Sequence, residues 1–382
     1  MRVLMLSKAC VVGAYQTKLE EMAAREGMEL LVVVPPYWQE ESRRIVLEPL
    51  HTRGYRLEVE PIRFNGRFHL FHFPGLARHF RDFRPDIVHV DEEPYNLATF
   101  HAIWLARRWG APSLFFTWQN LYRRYPAPFR WMERYAFDRV TCAIAGNSEA
   151  VDVLRRKGFG KPVEVIPQFG VDPDVFSPQP RASITQRPGP AHQSSVLSPR
   201  SAFRVGFVGR LVEQKGILDL LEAVALLRDE SVLTVVGAGP LRGKIEARAA
   251  ELGISSRLEM LGGVPSRQMP EILNALDVLV LPSRTRPNWK EQFGRALVEA
   301  MACQVPVVGS DSGEIPNVIG GAGLVFPEGD VGALRDHLST LRDSPDLRRR
   351  LGEHGRARVL ERFTQARVAE QTHQVYQKMM RR

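Results

Sequence analysis

The chain has 382 residues, 44% hydrophobic and 25% charged, which excludes a largely disordered protein and predicts a soluble globular one with two domains. Lys and Arg number 52 against 43 for Asp and Glu, so the formal charge of +9 favours anionic partners without choosing among nucleotide phosphates, acidic lipids and nucleic acid. The three cysteines, Cys10, Cys142 and Cys303, form no CxxC pair and predict neither a disulfide framework nor a zinc site.

The first residues, MRVLMLSKAC, contain an apolar run too short for a signal peptide. No uninterrupted apolar stretch of about 18 residues follows, which is the length that a membrane span requires. We therefore expect a cytoplasmic protein in a reducing compartment.

Short β-branched runs alternate with amphipathic helical segments along the whole chain. In chain order the runs are RVLML, ELLVVVP, PDIVHV, SLFFTW, VTCAIAG and VEVIPQ, then FRVGFVG, VLTVVGAG, DVLVLPS, VPVVGSD and GLVFP. Such alternation is typical of βαβ units with parallel sheets covered by helices. The predicted fold class is α/β, with two doubly wound Rossmann-like domains facing a central cleft, where chemistry is expected.

Residues 177–202, rich in Pro, Ser, Gln and Arg, predict a flexible linker between an N-terminal domain, residues 1–176, and a C-terminal domain, residues 203–364. The remaining residues, 365–382, predict an amphipathic helix. Its apolar positions recur at helical spacing: Val368, Thr372, Val375, Tyr376 and Met379. Periodicity alone does not say on which domain this helix packs.

The stretch RVGFVGRLVEQKG runs from a strand into a loop and a helix, with Arg210 and Lys215 flanking the loop. The N-terminus of a helix presents free amide groups, and two nearby cations would complete a diphosphate site. The alternative is that both cations are simply solvated. In TVVGAGPLRG, Arg242 replaces the third glycine of a dinucleotide fingerprint, which disfavours nicotinamide binding.

The stretch KEQFGRALVEAMA places Glu291 just ahead of a predicted helix and Glu299 inside it, with Gly294 at the helix start. Both carboxylates could border one elongated ligand. The structural alternative is that Glu299 pairs with Arg295 four residues earlier and that Glu291 stabilises the helix dipole.

The ordered segments GRLVEQKG, VVGAGP, LGGVPSRQMP, DVLVLPS, EQFGRALVEAMA, VPVVGSDSGEIPNVI and AGLVFPEGD resemble the sugar-donor half of the family-4 retaining glycosyltransferases of GT-B fold, also called group 1. Gly13, RPDIVHV and VIPQFGVDPDVFSP resemble the acceptor half and the hinge. The resemblance implies that residues 1–176 bind the acceptor and that residues 203–364 bind a nucleotide-sugar donor. It also implies that the last helix, 365–382, packs back on the first domain.

The resemblance also assigns roles to individual residues. Arg210 and Lys215 would bind the diphosphate, and Glu299 the ribose hydroxyls. Glu291 would lie beside the sugar hydroxyls, as the catalytic-site carboxylate. The remaining donor-binding positions implied are Val264 near the base, the amides of Phe293 and Gly294, and Gly13. No metal and no other cofactor are expected, and front-side attack is the expected mechanism.

The acceptor half departs from the family pattern. Where many relatives carry a histidine, this chain reads Thr117, Trp118, Gln119 and Asn120. The last three are the predicted acceptor-side residues, although amides cannot act as general bases. A second departure is Gln304, where relatives usually have glycine.

The expected function is transfer of a sugar to a glycan or lipid-linked acceptor in cell-surface polysaccharide or glycolipid biosynthesis, without nucleic acid as a partner. The alternatives are a non-catalytic nucleotide-sugar-binding protein, or a GT-B epimerase or phosphorylase. The segment NLYRRYPAPFRWMERYAFDR interleaves arginines with aromatic residues. It is interpreted either as a packed helix with a solvated basic side or as a surface docking peripherally on the anionic inner membrane face.

Overall fold

The computed structural model describes residues 1–40, 44–180, 202–227 and 231–381. Most of the predicted linker, residues 181–201, lies outside the described residues. The described strands are β1 (Arg2–Leu6), β2 (Glu29–Val34), β3 (Tyr37–Gln39), β4 (Arg44–Val46), β5 (Arg56–Val59), β6 (Ile87–Val90), β7 (Ser113–Thr117), β8 (Cys142–Ala145), β9 (Val163–Val165), β10 (Arg204–Val208), β11 (Val232–Val236), β12 (Leu258–Gly262), β13 (Val278–Leu281), β14 (Val307–Ser310) and β15 (Leu324–Phe326).

The α-helices lie between and after these strands. They are α1 (Thr17–Ala23), α2 (Leu76–Phe83), α3 (Leu97–Arg108), α4 (Ala127–Arg139), α5 (Ser148–Arg156), α6 (Ile217–Leu226), α7 (Arg242–Glu251), α8 (Met269–Asn274), α9 (Arg295–Ala302), α10 (Ile315–Ile319), α11 (Val331–Asp343), α12 (Pro345–Arg362) and α13 (Gln365–Met380).

The chain divides into two compact units. The first comprises Met1–Gly170 and Gln365–Arg382, and the second Val171–Thr364. Residues 171–176, expected in the first domain, therefore belong to the second unit. A backbone hydrogen bond from Val171 to Phe363, 2.8 Å long, attaches them there.

The first unit contains a seven-stranded sheet in the order β5-β2-β1-β6-β7-β8-β9. All its pairings are parallel, whereas β3 and β4 form a separate antiparallel hairpin. One apolar cluster on this sheet is rich in phenylalanine, including Phe71, Phe80 and Phe115. The other joins the sheet to α1 and α13 through residues such as Leu19 and Tyr376.

The second unit contains a six-stranded parallel sheet in the order β12-β11-β10-β13-β14-β15. Its two buried clusters hold α6, α7 and α11 on one side and α8 and α9 on the other. The apolar residues Ile217, Leu220, Leu221 and Val224 of α6 are all buried. This confirms the α/β fold with two Rossmann-like parallel sheets.

Both sheets have a point where the strand order reverses, between β1 and β6 in the first unit and between β10 and β13 in the second. At such a point the loops after the two strands diverge and leave room for a ligand at the carboxyl edge. Gly13 follows β1, Arg210 and Lys215 follow β10, and Glu291 follows β13, so these candidate site residues lie in such loops.

Candidate active site

The loops after β10 and β13 pack backbone against backbone. Gly216 ends the first loop with φ at 65°, and a Cβ added there would lie 1.8 Å from the carbonyl oxygen of Pro282. The amide of Arg284 donates a 2.8 Å hydrogen bond to the carbonyl of Gln214. Glycine is required at position 216 by both its conformation and this close approach.

This packing places Lys215 against Glu291. The Lys215 Nζ atom lies 2.6 Å from Glu291 Oε2, and the two side chains are 15% and 8% exposed. Ser283 Oγ donates a 2.8 Å hydrogen bond to the same carboxylate, and the Lys215 ammonium lies 5.2 Å from the centre of the Trp289 ring. The cation and the carboxylate assigned to different parts of one ligand therefore form a part-buried ion pair here.

The backbone of Glu291 is also fixed, by the loop after β14. The Glu314 amide donates to the Glu291 carbonyl at 3.1 Å, and a Cβ on Gly313 would lie 2.1 Å from that oxygen. Glu291 is thus held at both its side chain and its main chain, which favours a defined carboxylate position.

Gly294 precedes α9 in the left-handed conformation, with φ at 77°. The neighbouring Phe293 is half-buried, and its ring packs edge-on against Phe363 at 5.8 Å between centroids. The left-handed turn directs the chain from the Glu291 loop into the first turn of the helix.

Glu299 lies within α9 and is buried. Arg295 Nε donates to Glu299 Oε1 at 2.6 Å. The pairing with Arg295, which the sequence indicated as the alternative to ligand binding, is therefore present. Burial raises the pKa of Glu299, and the Arg295 guanidinium opposes that shift.

The other two predicted donor-site residues also follow strands at this edge. Arg210 comes two residues after β10 and is exposed, and its carbonyl accepts a hydrogen bond from the Val212 amide. Val264 comes two residues after β12 and is half-buried against the cluster that contains Leu273 and Met269. Arg210, Val264 and Glu291 thus lie in different loops of one carboxyl edge.

An ion pair that the sequence did not predict reinforces the two loops. Arg284 binds Asp219 through Nε and Nη2, both at 2.6 Å, and the Asp219 side chain is 11% exposed. Burial raises the pKa of Asp219, against the opposing effect of the arginine. The available signal was an acid in the first turn of α6, three residues after Gly216.

Gly13 begins a short 3₁₀ turn after β1 in the first unit and is buried. A Cβ there would lie 2.5 Å from Leu50 Cδ1, and its amide lies 3.4 Å from Glu48 Oε2. The close approach that this glycine permits is therefore made by the chain's own residues 48–50. The predicted contact of Gly13 with the sugar donor stays a prediction.

The predicted acceptor-side residues lie at the end of β7 and are held by specific partners. The Trp118 indole donates to Gln168 Oε1 at 2.9 Å, and Asn120 Nδ2 donates to Glu149 Oε2 at 3.2 Å. Gln119 donates through Nε2 to the Tyr125 hydroxyl at 3.0 Å. All three side chains are at least half-buried.

Glu93 was not predicted as a site residue, but it lies beside these side chains. Its carboxylate accepts hydrogen bonds from the Thr117 hydroxyl at 2.6 Å and from the Trp118 amide at 2.8 Å. Burial raises the pKa of Glu93 to about 7, although both hydrogen bonds favour the ionised form. The signal in the sequence was the run DEE directly after β6.

The other acids of that run are paired with lysines. Lys8 forms a close ion pair with Glu92, and its ammonium lies over the Phe68 ring, 4.7 Å from the centroid. Lys18 lies 3.5 Å from Asp91, which also accepts from the Ser7 hydroxyl at 2.8 Å. In the described part of the chain no group of three or more His, Cys, Asp or Glu side chains could hold a metal ion.

His89 lies in β6 and is buried. Its Nδ1 atom lies 2.6 Å from the Tyr376 hydroxyl on α13. Burial lowers the pKa of His89 to about 4. The contact attaches the last helix to the first sheet.

None of the helices in the described ranges has the length and apolar character needed to cross a bilayer.

Comparison with known proteins gives matches over both units. Residues 12–168 match the model of the glycosyl transferase 4-like domain, and residues 191–358 that of the glycosyl transferases group 1. An alpha-maltose-1-phosphate synthase of Mycolicibacterium smegmatis is 31% identical over 80% of this chain and 77% of its own. An MMP α-(1→4)-mannosyltransferase of Mycolicibacterium hassiacum is 39% identical over 72% of this chain and 61% of its own.

The fold comparison agrees. The Anabaena protein HepE, solved in complex with UDP, superposes with a TM-score of 0.73 at 17% identity, over 99% of this chain and 100% of its own. The two parallel Rossmann-like sheets have the GT-B fold, and the family models and the curated relatives assign the chain to the glycosyltransferases. The chain belongs to the group 1 glycosyltransferases, as the sequence resemblance indicated.

Proposed function

We propose that this enzyme is a retaining glycosyltransferase that moves a sugar from a nucleotide-sugar donor to a hydroxyl of a glycan or lipid-linked acceptor in cell-surface polysaccharide or glycolipid biosynthesis. The observation that carries the proposal is the Lys215–Glu291 ion pair of 2.6 Å at the reversal point of the second sheet. A cation for a diphosphate and a carboxylate for sugar hydroxyls meet there, next to a loop that ends in a helix start.

In this proposal, Lys215 and Arg210 neutralise the diphosphate, and Glu291 accepts hydrogen bonds from hydroxyls of the transferred sugar. Glu299 holds the ribose, and Val264 contacts the base. The amides of Phe293 and Gly294 complete the donor-binding residues of the second unit, and Gly13 of the first unit stays a predicted donor-binding residue. Carboxylates suit vicinal hydroxyls because they accept at several lone-pair positions.

The proposed chemistry is front-side attack without a metal. The bond between the anomeric carbon and the diphosphate oxygen breaks, and its electron pair leaves with the diphosphate. The acceptor oxygen bonds to the same face of that carbon, so the configuration is retained, and its proton passes to the departing diphosphate. Lys215 and Arg210 stabilise the charge that develops there.

The acceptor is assigned to the carboxyl edge of the first sheet, where Trp118, Gln119 and Asn120 are fixed by their partners. These groups orient hydroxyls rather than remove protons, since neither an amide nor an indole is a base at neutral pH. Because these side chains orient the acceptor without taking its proton, they fit a reaction in which the leaving diphosphate takes the proton.

The test is thermal stabilisation by UDP-, GDP- and ADP-sugars and by NAD. A ligand at 100 times its dissociation constant should add about 2.7 kcal/mol of stability. We expect one nucleotide-sugar class to stabilise the wild type but not the Arg210→Ala/Lys215→Ala double variant. The matched control is Arg242→Ala/Lys244→Ala, which removes two exposed cations from α7 of the same unit.

Stabilisation by NAD alone, or equal stabilisation of both double variants, would remove the basis for the donor-site assignment. A product with inverted anomeric configuration, seen by NMR of the transferred sugar, would contradict retention. A requirement for added divalent metal, abolished by chelator, would contradict metal-independent transfer.

We also propose that the enzyme docks on anionic lipid through the α3–α4 surface, defined as Trp104, Arg108, Arg130, Trp131 and Arg134. Trp104 and Trp131 are 44% and 58% exposed, and the three arginines lie on the exposed side of the same two helices. Exposed indoles beside guanidinium groups suit the headgroup layer of an acidic leaflet.

The test is co-sedimentation with vesicles of phosphatidylcholine alone or with 30 mole per cent phosphatidylglycerol. We expect binding to the acidic vesicles, weakened in Trp131→Ser and in Arg130→Gln/Arg134→Gln. The control is Arg349→Gln, an exposed arginine on α12. Equal binding to both vesicle types would overturn the membrane proposal and leave the donor site untouched.

A further inference from the structure

The side chain of Gln119 is held by a buried lysine of the segment that follows α5. Lys157 follows α5, and its Nζ atom donates to Gln119 Oε1 at 2.8 Å. The same ammonium lies 2.5 Å from Glu133 Oε1 on α4 and 4.8 Å from the centre of the Tyr125 ring. One cation thus contacts α4 and the segment after β7 at once.

This ion pair is almost removed from solvent, with side-chain exposures of 6% for Lys157 and 8% for Glu133. Taking two charges out of water is costly, and well-packed apolar residues often serve stability as well or better. A buried pair therefore contributes little to the net stability of the fold. The pair also restricts which atom of a neighbouring side chain can bond to Lys157, because an ammonium can only donate hydrogen bonds.

The donor-only character of the Lys157 ammonium determines how the Gln119 side-chain amide is oriented. A glutamine amide has an accepting oxygen and a donating NH₂ of nearly equal size, so either could face the neighbour. Lys157 donates to the oxygen, because an ammonium has no lone pair to accept from the NH₂ group, which leaves Nε2 to donate to the Tyr125 hydroxyl at 3.0 Å. The backbone N–H of Gln119 donates to Thr117 Oγ1 at 3.1 Å, and this bond fixes the main chain of Gln119.

We infer that Lys157 is a positioning residue for the acceptor, acting through Gln119 and Tyr125. The inference rests on the proposed function, since it assumes that the segment after β7 receives the acceptor. Lys157 itself contacts no substrate in this assignment. Its loss would let the Gln119 amide rotate and would change acceptor recognition, while the sugar-donor residues in the second unit stay unaffected.

The experiment compares Lys157→Met with the double variant Lys157→Met/Glu133→Leu. The single variant leaves Glu133 buried without its partner and is expected to be destabilised. The double variant replaces both charges by apolar side chains and is expected to melt near the wild-type temperature. Lys161→Met is the control, because Lys161 donates to the backbone carbonyls of Asp138 and Val140 instead.

The kinetic probes are the methyl α-glycosides of glucose, mannose and galactose, with the sugar donor that the thermal panel selects. We expect the acceptor KM of the double variant to rise about tenfold or more, while donor-induced stabilisation and slow donor hydrolysis stay within about twofold. We expect Lys157→Arg to rescue much of the acceptor KM, since guanidinium groups also only donate. A double variant with wild-type stability and wild-type acceptor KM would overturn the inference.

Failure of the proposed function would be seen separately, as absence of donor-induced stabilisation in the wild type itself. If the wild type turns over none of the three glycosides, crystal structures of the wild type and the double variant decide. A Gln119–Tyr125 contact retained at 3.0 Å in the double variant overturns the inference, and a rotated or displaced Gln119 amide supports it.

Discussion

Lys215 Nζ and Glu291 Oε2 lie 2.6 Å apart, so the two charged groups expected to hold different parts of one ligand bind each other. A ligand that uses both must exchange this ion pair for its own contacts. If Lys215 binds the diphosphate as proposed, the carboxylate competes with that diphosphate for the lysine. We then expect weaker binding of a product that has lost its sugar.

Glu291→Gln should separate the two roles of this carboxylate. Without the negative charge, the Lys215 ammonium is released to a diphosphate, so free UDP or GDP should bind up to about tenfold more tightly, while sugar transfer falls about 100-fold. Titration calorimetry and turnover measure the two effects. The control is Glu213→Gln, an exposed acid two residues before Lys215. Weaker diphosphate binding by Glu291→Gln would contradict the competition.

Glu299 should confer a preference for ribose. A charge-assisted hydrogen bond contributes about 1.5–3 kcal/mol, so the wild type should bind the nucleoside diphosphate about tenfold or more tightly than its 2′,3′-dideoxy analogue. Glu299→Gln should reduce that ratio to a few fold, as measured by calorimetry with both ligands. An unchanged ratio would contradict a ribose contact and leave Glu299 with its Arg295 partner alone.

Glu93 should make the stability of the first unit fall as the pH rises. Its pKa is raised from 4.5 to about 7, so above pH 4.5 the unfolded chain releases a proton that the folded protein still binds. Stability is then lost through this window, by about 3 kcal/mol at most, and levels off above pH 7. Urea unfolding of the wild type and Glu93→Gln from pH 5 to 8 measures the difference.

The matched control for that titration is Glu20→Gln. The carboxylate of Glu20 is bound by Arg53, and its pKa is lowered, so it does not titrate between pH 5 and 8. The stability difference between wild type and Glu20→Gln should therefore change much less across this range than the difference for Glu93→Gln. A constant difference for Glu93→Gln would contradict the assigned titration.

Gln304 should be replaceable by glycine with a gain in stability. Its φ is 59°, the left-handed region, which costs a side chain about 1–2 kcal/mol, whereas glycine adds about 0.5–1 kcal/mol of unfolded-state entropy. The net gain should be about 0.5–1 kcal/mol, or an increase of roughly 1–4 °C in the Tm of the second unit. Calorimetry checks this, and Gln304→Ala, which keeps the Cβ atom, should give no gain.

The strands with continuous apolar runs were predictable, whereas β5 and β12, two of the strands at the outer positions of the described sheets, were not. β5 reads RLEV and is half-buried or exposed, and β12 reads LEMLG and is half-buried throughout. A strand at such a position needs only one apolar face, so it lacks the run that marks β1 or β13. The hairpin of β3 and β4 was missed for the same reason.

The site was predictable as residue types but not as contacts. The sequence indicated Lys215 and Glu291 separately, yet their ion pair depends on β10 lying beside β13, which only the sheet order determines. The pairing of Glu299 with Arg295 follows from helical spacing and was foreseen as an alternative. Glu93 and Lys157 were missed, because their importance depends on burial and on partners far away in the sequence.

The helix α13 belongs to the first unit although the whole second unit precedes it in the chain. Val368, Tyr376 and Met379 cover apolar residues of α1 and the first sheet. During synthesis at about 5–20 residues per second, the ribosome needs about 10–40 s to pass from Gly170 to Gln365. The unit begun first is therefore completed last, and its nascent form exposes an uncovered apolar face for most of that time.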